Sequence, residues 1–121
     1  MKAQQVSVFQ ENVVAALGLS VAPGTPIYLG ASNVAHMQVK HPADYAKYGG
    51  QISLILSSPD YVRTNPKDGS VEYVKEFQID GDFVKVAVRV TGAGTWFARS
   101  LYVLNAQRVQ NFIKKGTLKK P

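Results

Sequence analysis

The sequence predicts an α+β domain, with N-terminal helices packed on one face of an antiparallel meander sheet of three to four strands and a helix at the C-terminus. Three observations predict it. The first half of the chain carries apolar residues at helical spacing, interrupted by proline and glycine. After residue 70 the period drops to two in "VEYVKEFQI", "FVKVAVRVT" and "WFARSLYVL". The stretch "NAQRVQNFIKKG" then returns to helical spacing.

Taken in order, "QQVSVFQENVVAALG" reads as a strand followed by a helix, or as one helix. Phe9, Val13, Val14 and Leu17 form its apolar stripe, and Gly18 ends it. "SVAPGTP" is a linker, and "IYLG" a short strand or lead-in. Ser32 or Asn33 caps a helix running through "VAHMQVK". That helix must stop before Pro42, because the residue preceding proline avoids helical angles. A second helix starts near Pro42 and carries Tyr45, Tyr48, Ile52, Ile55 and Leu56 at helical spacings. "SSPDYVRTNPKDG" ends it in a turn cluster. In the closing helix Asn105 is the cap, and Val109, Phe112 and Ile113 face inward.

The strands fix a surface. Asp80-Gly81 is a strong two-residue hairpin signal, which pairs Ile79 with Asp82, Phe77 with Val84 and Tyr73 with Val88. The opposite face then sets Glu76 against Lys85 and Glu72 against Arg89, two opposite-charge pairs. For Val84, Val86, Val88 and Val90 to share a side with Phe97, Leu101 and Val103, the loop within "VTGAGTW" must have even length, two or four residues. The water-facing side then shows Glu72, Glu76, Lys85, Arg89, Ser100 and Tyr102, with Trp96 toward one end. Arg99 breaks this pattern by pointing to the apolar side, so it snorkels at the rim or a bulge turns it.

The 121 residues carry a formal net charge of +6 and no cysteine, which excludes disulfides, cysteine–zinc sites and thiol nucleophiles. One domain spans residues 1–121, with residues 114–121 a basic tail holding Lys114, Lys115, Lys119 and Lys120. No apolar run approaches the roughly 18 residues of a membrane span, and the N-terminus lacks the design of a signal peptide. The expected setting is cytoplasmic. A basic domain attracts polyanions, of which nucleic acid is the commonest. Arginine and lysine bind phosphate, while tyrosine and tryptophan stack on or cover a base.

Other motifs are excluded. His36 and His41 do not form HExxH, point more than a third of a turn apart on an ideal helix, and have no acidic cluster beside them. No metal or other cofactor is expected. "TGAGT" and "LGAS" lack the lysine of a P-loop, and no G-x-S-x-G elbow occurs.

The order "IYLGASNVAHMQVKHPADY", "ISLILSSPDYV" and "WFARSLYVLN" resembles the barnase–EndoU–colicin–RelE-like nucleases of phages and mobile elements, over residues 27–105. The resemblance rests on the H-x4-HP step, the "SSPDYV" helix exit and the "RSLY" strand. It implies metal-independent RNA cleavage, often of tRNA, and an immunity or antitoxin protein as a partner. It makes His36 the acid–base histidine and His41 the second candidate. Lys85 or Arg89 becomes the strand cation, and Ser100 and Tyr102 the hydroxyl positions of the last strand. His41, Glu72, Glu76 and Trp96 would contact substrate, the glutamates chiefly holding the cations in place. The rival expectations are a module that binds RNA or DNA without cutting it, and a phage structural or interaction protein whose polar face is merely solvated.

Overall fold

A computed structural model describes residues 3–121. The chain runs β1 (Gln4–Val8), α1 (Glu11–Leu17), β2 (Pro26–Leu29), α2 (Ala31–Lys40), α3 (Pro42–Tyr48), a 3-10 turn (Gly49–Gln51) and α4 (Ile52–Ser57). It continues through β3 (Tyr61–Thr64), β4 (Val71–Phe77), β5 (Asp82–Val90), β6 (Trp96–Leu104) and α5 (Ala106–Lys114). The strands form one six-stranded sheet in the order β1-β2-β6-β5-β4-β3. All neighbours are antiparallel except β2 and β6, which are parallel.

The α+β class holds, but the predicted three- to four-stranded meander with its helices at the N-terminus does not. The sheet is larger and mixed, and strands and helices alternate through the first half of the chain. The sequence leaves β1 and β2 as open alternatives and does not predict β3; all three are only four or five residues long, too short for a period of two to stand out. The β2–β6 pairing is also non-local and has no turn between its partners to announce it.

Most helix ends follow local chemistry, but α2 starts at Ala31 with Gly30 as its cap, and neither Ser32 nor Asn33 caps it. Gly18, with φ 59°, ends α1 in the left-handed conformation that favours glycine. Pro42 opens α3 at its first turn. The helix predicted to run on from Pro42 is cut in two at Gly49-Gly50, where a 3-10 turn intervenes. The Asn105 side chain accepts from the N–H groups of Gln107 and Arg108 at 2.9 and 3.2 Å, as the cap of α5.

One sheet face carries the main core. Val62, Tyr73, Val84, Val86, Val88 and Leu101 meet Val13 of α1 and Ile52, Ile55 and Leu56 of α4. α2 and α3 run beside β6 beyond the point where β2 stops pairing. There the Asp44 carboxylate accepts the Val103 N–H at 3.0 Å, satisfying an edge amide that β2 does not reach. On the other face α5 builds a smaller core, with Val109 against Val74, Phe83 and Leu118. Within the segment 114–121, Leu118 is buried and Lys119 exchanges two 2.8 Å backbone bonds with Val62 of β3.

Two registers differ from expectation; the first keeps the faces, and the second keeps them only from Ser100 onward. The β4–β5 turn spans Gln78–Gly81, so Phe77 pairs with Asp82 and Tyr73 with Val86. This is a shift of two residues relative to a two-residue turn, and a shift of two leaves every side chain on its predicted side. Gly81, at φ 68°, takes the left-handed position of that turn. In the second hairpin Val90 pairs with Trp96, leaving an odd loop of Thr91–Thr95 instead of an even one. A bulge at Arg99 restores the alternation, since Ala87 pairs with Ser100 while Val88 pairs with Ala98.

The β4–β5 turn is tied to α3. Asp82 accepts from the Tyr48 hydroxyl and from Lys47 Nζ at 3.1 Å, while Lys47 also reaches Asp80 at 3.2 Å. The Tyr48 hydroxyl and Lys47 together hold the Asp82 carboxyl below its usual range. A depressed folded pKa adds stability above the unfolded value of about 4, and that contribution is lost as pH falls through the folded value. Asp82→Asn should therefore lower stability at pH 7 and flatten the acid limb below about pH 4, read by urea unfolding at a series of pH values. Leu101→Ala, at a fully buried core position, should cost about 2–5 kcal/mol in the same assay without changing the slope with denaturant.

Candidate active site

The water-facing side of the sheet is organised by one buried carboxylate. Glu72 on β4 is only 6% exposed at its side chain. Arg63 pairs with it directly across the β3–β4 ladder, and Arg63 Nε lies 2.8 Å from Oε1. Lys85 Nζ on β5 lies 3.2 Å from Oε2, and the Asn65 amide donates to the same oxygen at 3.2 Å. A buried carboxylate needs such partners because desolvation penalises its charge. The cations are held in return: Lys85 and Arg63 are 12% and 18% exposed at their side chains.

Lys85 pairs across the ladder with Tyr102, and its Nζ sits 4.5 Å from the centroid of the Tyr102 ring. From the other side of β6, the His41 ring stacks on Tyr102 at 4.9 Å with 27° between planes. His41 is at the α2–α3 junction, where Pro42 ends one helix and starts the next. That kink turns the imidazole toward β6. The Tyr102 ring thus joins an ammonium and an imidazole in one cluster.

Arg63, Lys85, Tyr102 and Glu72 line a cavity of about 220 Å³, closed on the α5 side by Arg108 and Phe112. Arg63 and Arg108 lie 5.6 and 5.7 Å from the Phe112 ring. Three cations therefore share this cavity with one carboxylate, and the balance favours an anion. Lysine and arginine carry several donors each, so both keep N–H groups beyond those directed at Glu72.

Ser100 is half-buried opposite Ala87, next to Tyr102 along the same face. Arg89 is exposed further along β5, opposite Phe97. The Ser70 backbone N–H first, and Arg89 as a nearby charge, hold the Asp68 carboxyl below its ordinary range. Glu76 pairs with Phe83, away from Lys85, and its backbone N–H donates to Asp60 at 2.8 Å. Trp96 lies on the helix-covered side, edge-on to Phe9 at 4.9 Å. The bulge moves it there and brings Phe97 to the open side. His36 is exposed on α2 in a separate recess with Ser32, Asn33 and Arg99.

Sequence reasoning missed Arg63, Asn65, Arg108 and Phe112. "YVRT" is a β-prone run directly before the turn "NPKDG", which is the signal that could have marked Arg63 as a strand residue. Among the described residues, no three His, Asp or Glu side chains gather as a metal site, and no helix is long and apolar enough to cross a membrane.

This architecture, a twisted sheet presenting a cationic cavity beside a histidine, agrees with comparison at the level of sequence families. Residues 4–111 match the family described as phage-Barnase-EndoU-ColicinE5/D-RelE like nuclease3. The match covers most of the chain, and the protein belongs to that nuclease family. No curated protein and no solved structure matches the chain.

Removing the Glu72 carboxylate leaves two cations partly buried without their counter-charge. Glu72→Ala should destabilise the fold by about 3–5 kcal/mol, measured by chemical denaturation at neutral pH.

Proposed function

We propose that the protein is a metal-independent endoribonuclease whose reacting phosphate binds over Lys85 and Arg63. The observation that carries this reading is that Lys85 and His41 both pack against the Tyr102 ring, at 4.5 and 4.9 Å from its centroid. Family membership supplies the nuclease class. The acid–base role falls to His41, which stands at the cationic cluster, whereas His36 stands with Arg99 in a different recess.

In this mechanism His41 takes the proton of the ribose 2′-hydroxyl, and the 2′-oxygen attacks phosphorus. Lys85 and Arg63 neutralise the charge that builds on the phosphorane oxygens. The bond from phosphorus to the 5′-oxygen breaks, leaving a 2′,3′-cyclic phosphate. The departing oxygen takes a proton from the Tyr102 hydroxyl, and the proton held by His41 returns to Tyr102 through solvent, restoring both groups. Ser100 orients the substrate, and Glu72 positions the cations without touching it. Arg89 adds positive charge further along the same face. The word phage in the family description supports a phage or mobile-element source. A protein of this net charge that cuts cellular RNA also calls for an acidic immunity or antitoxin partner over the open face.

The test is cleavage of total RNA in excess chelator. Wild-type protein should cut, and His41→Ala and Lys85→Ala should each lower the rate by about 10²-fold or more. His36→Ala should lose far less. Undiminished cleavage by the His41 and Lys85 variants would overturn the assignment. Salt-sensitive binding with intact RNA would make the protein a binding module instead.

A further inference from the structure

The bulge at Arg99 has a consequence for substrate length. In unbroken alternation Arg99 would face the core and Phe97 would share its side. The extra residue turns Phe97 onto the water-facing side, where it pairs with Arg89 across the ladder and with Tyr28 of β2. The Phe97 and Tyr28 rings lie 6.1 Å apart. Arg99 comes out exposed, and among the described residues it forms no ion pair. Two adjoining recesses of about 240 and 270 Å³ share Ser32, Asn33 and Arg99 as lining. One is bordered by His36, and the other by Phe97 and Thr91.

An aromatic ring beside an unpaired guanidinium is the chemistry that holds an unpaired nucleotide, the ring stacking on the base and the cation meeting its phosphate. The distance fits a second nucleotide. Lys85 and Arg89 are four residues apart on β5, roughly 13 Å at the rise of an extended strand. That is too far for the nucleotide bound at Lys85 and within reach of one further along the same strand of RNA.

We infer that the recess between Phe97, Arg99 and the start of α2 is a second nucleotide subsite, which makes the protein selective for single-stranded RNA of several nucleotides. A duplex could not present an unstacked base to Phe97. The inference rests on the ribonuclease reading, and it can be tested separately by using RNA that cannot be cut.

The experiment measures the affinity of the full chain for single-stranded oligonucleotides in which every 2′-hydroxyl is replaced by 2′-fluoro. The probes have two, four and six nucleotides at fixed salt. Wild-type affinity should rise steeply between two and four nucleotides. Arg99→Gln and Phe97→Leu should each weaken binding of the hexanucleotide by about tenfold. An abasic sugar scanned through the hexanucleotide should weaken wild-type binding most at one position, and Phe97→Leu should abolish that particular loss. Arg99→Gln, an exposed substitution, guards against a folding defect in the Phe97 variant. Length-independent affinity, or hexanucleotide affinity unchanged in both variants, would overturn the subsite even if Lys85→Ala abolishes cleavage. Loss of affinity in both variants, with cleavage undisturbed in Lys85→Ala, would keep the subsite and overturn the catalytic assignment.

Discussion

The Glu72 carboxylate is the constraint on which the open face depends. It is buried on β4, one strand in from the sheet edge, and burial of a carboxylate is tolerated only when cations and donors surround it. Arg63 from β3, Lys85 from β5 and Asn65 from the β3–β4 turn meet that requirement. The consequence runs outward. Two cations that would otherwise sweep through water are fixed over a cavity, close to an aromatic ring that also carries a histidine. Prior fixing of charge is what allows cations to stabilise a transition state without reorganising at the moment of reaction. In the proposed reaction Glu72 links stability to chemistry: the ion pairs that the fold needs also place the groups proposed to meet the phosphate.

Around this cluster the two short irregularities of the chain do complementary work. The Pro42 break between α2 and α3 brings His41 against Tyr102 from one edge of β6. The Arg99 bulge reverses the facing of everything before it on β6. Trp96 and Ala98 go to the core, and Phe97 goes to water. A regular strand would have buried a guanidinium and left a tryptophan exposed. The bulge avoids both and extends the polar face toward α2.

Much of this was legible in the sequence, for identifiable reasons. Helix ends were readable because caps and breakers act within a few residues, as at Asn105, Gly18 and Pro42. The sheet faces were readable because alternation survives a shift of two, so Glu72, Lys85 and Tyr102 fall on one side despite a longer turn. The number of strands was not readable, since β1, β2 and β3 are short and the β2–β6 pairing joins distant segments. Nor was the second cation on Glu72, because Arg63 lies in a strand whose sequence merges into a turn. Which histidine stands beside Tyr102 depended on where α2 and α3 lie against β6, which no local pattern encodes.

The most direct measurement is a crystal structure of the protein with a short RNA carrying one 2′-deoxynucleotide at the scissile position. The account predicts a phosphate bridging Lys85 Nζ and the Arg63 guanidinium, with the adjacent ribose facing the His41 ring and Glu72 still between the two cations. A phosphate bound on the helix-covered side, or in the open-face cavity with Lys85 and Arg63 turned away from it, would contradict it.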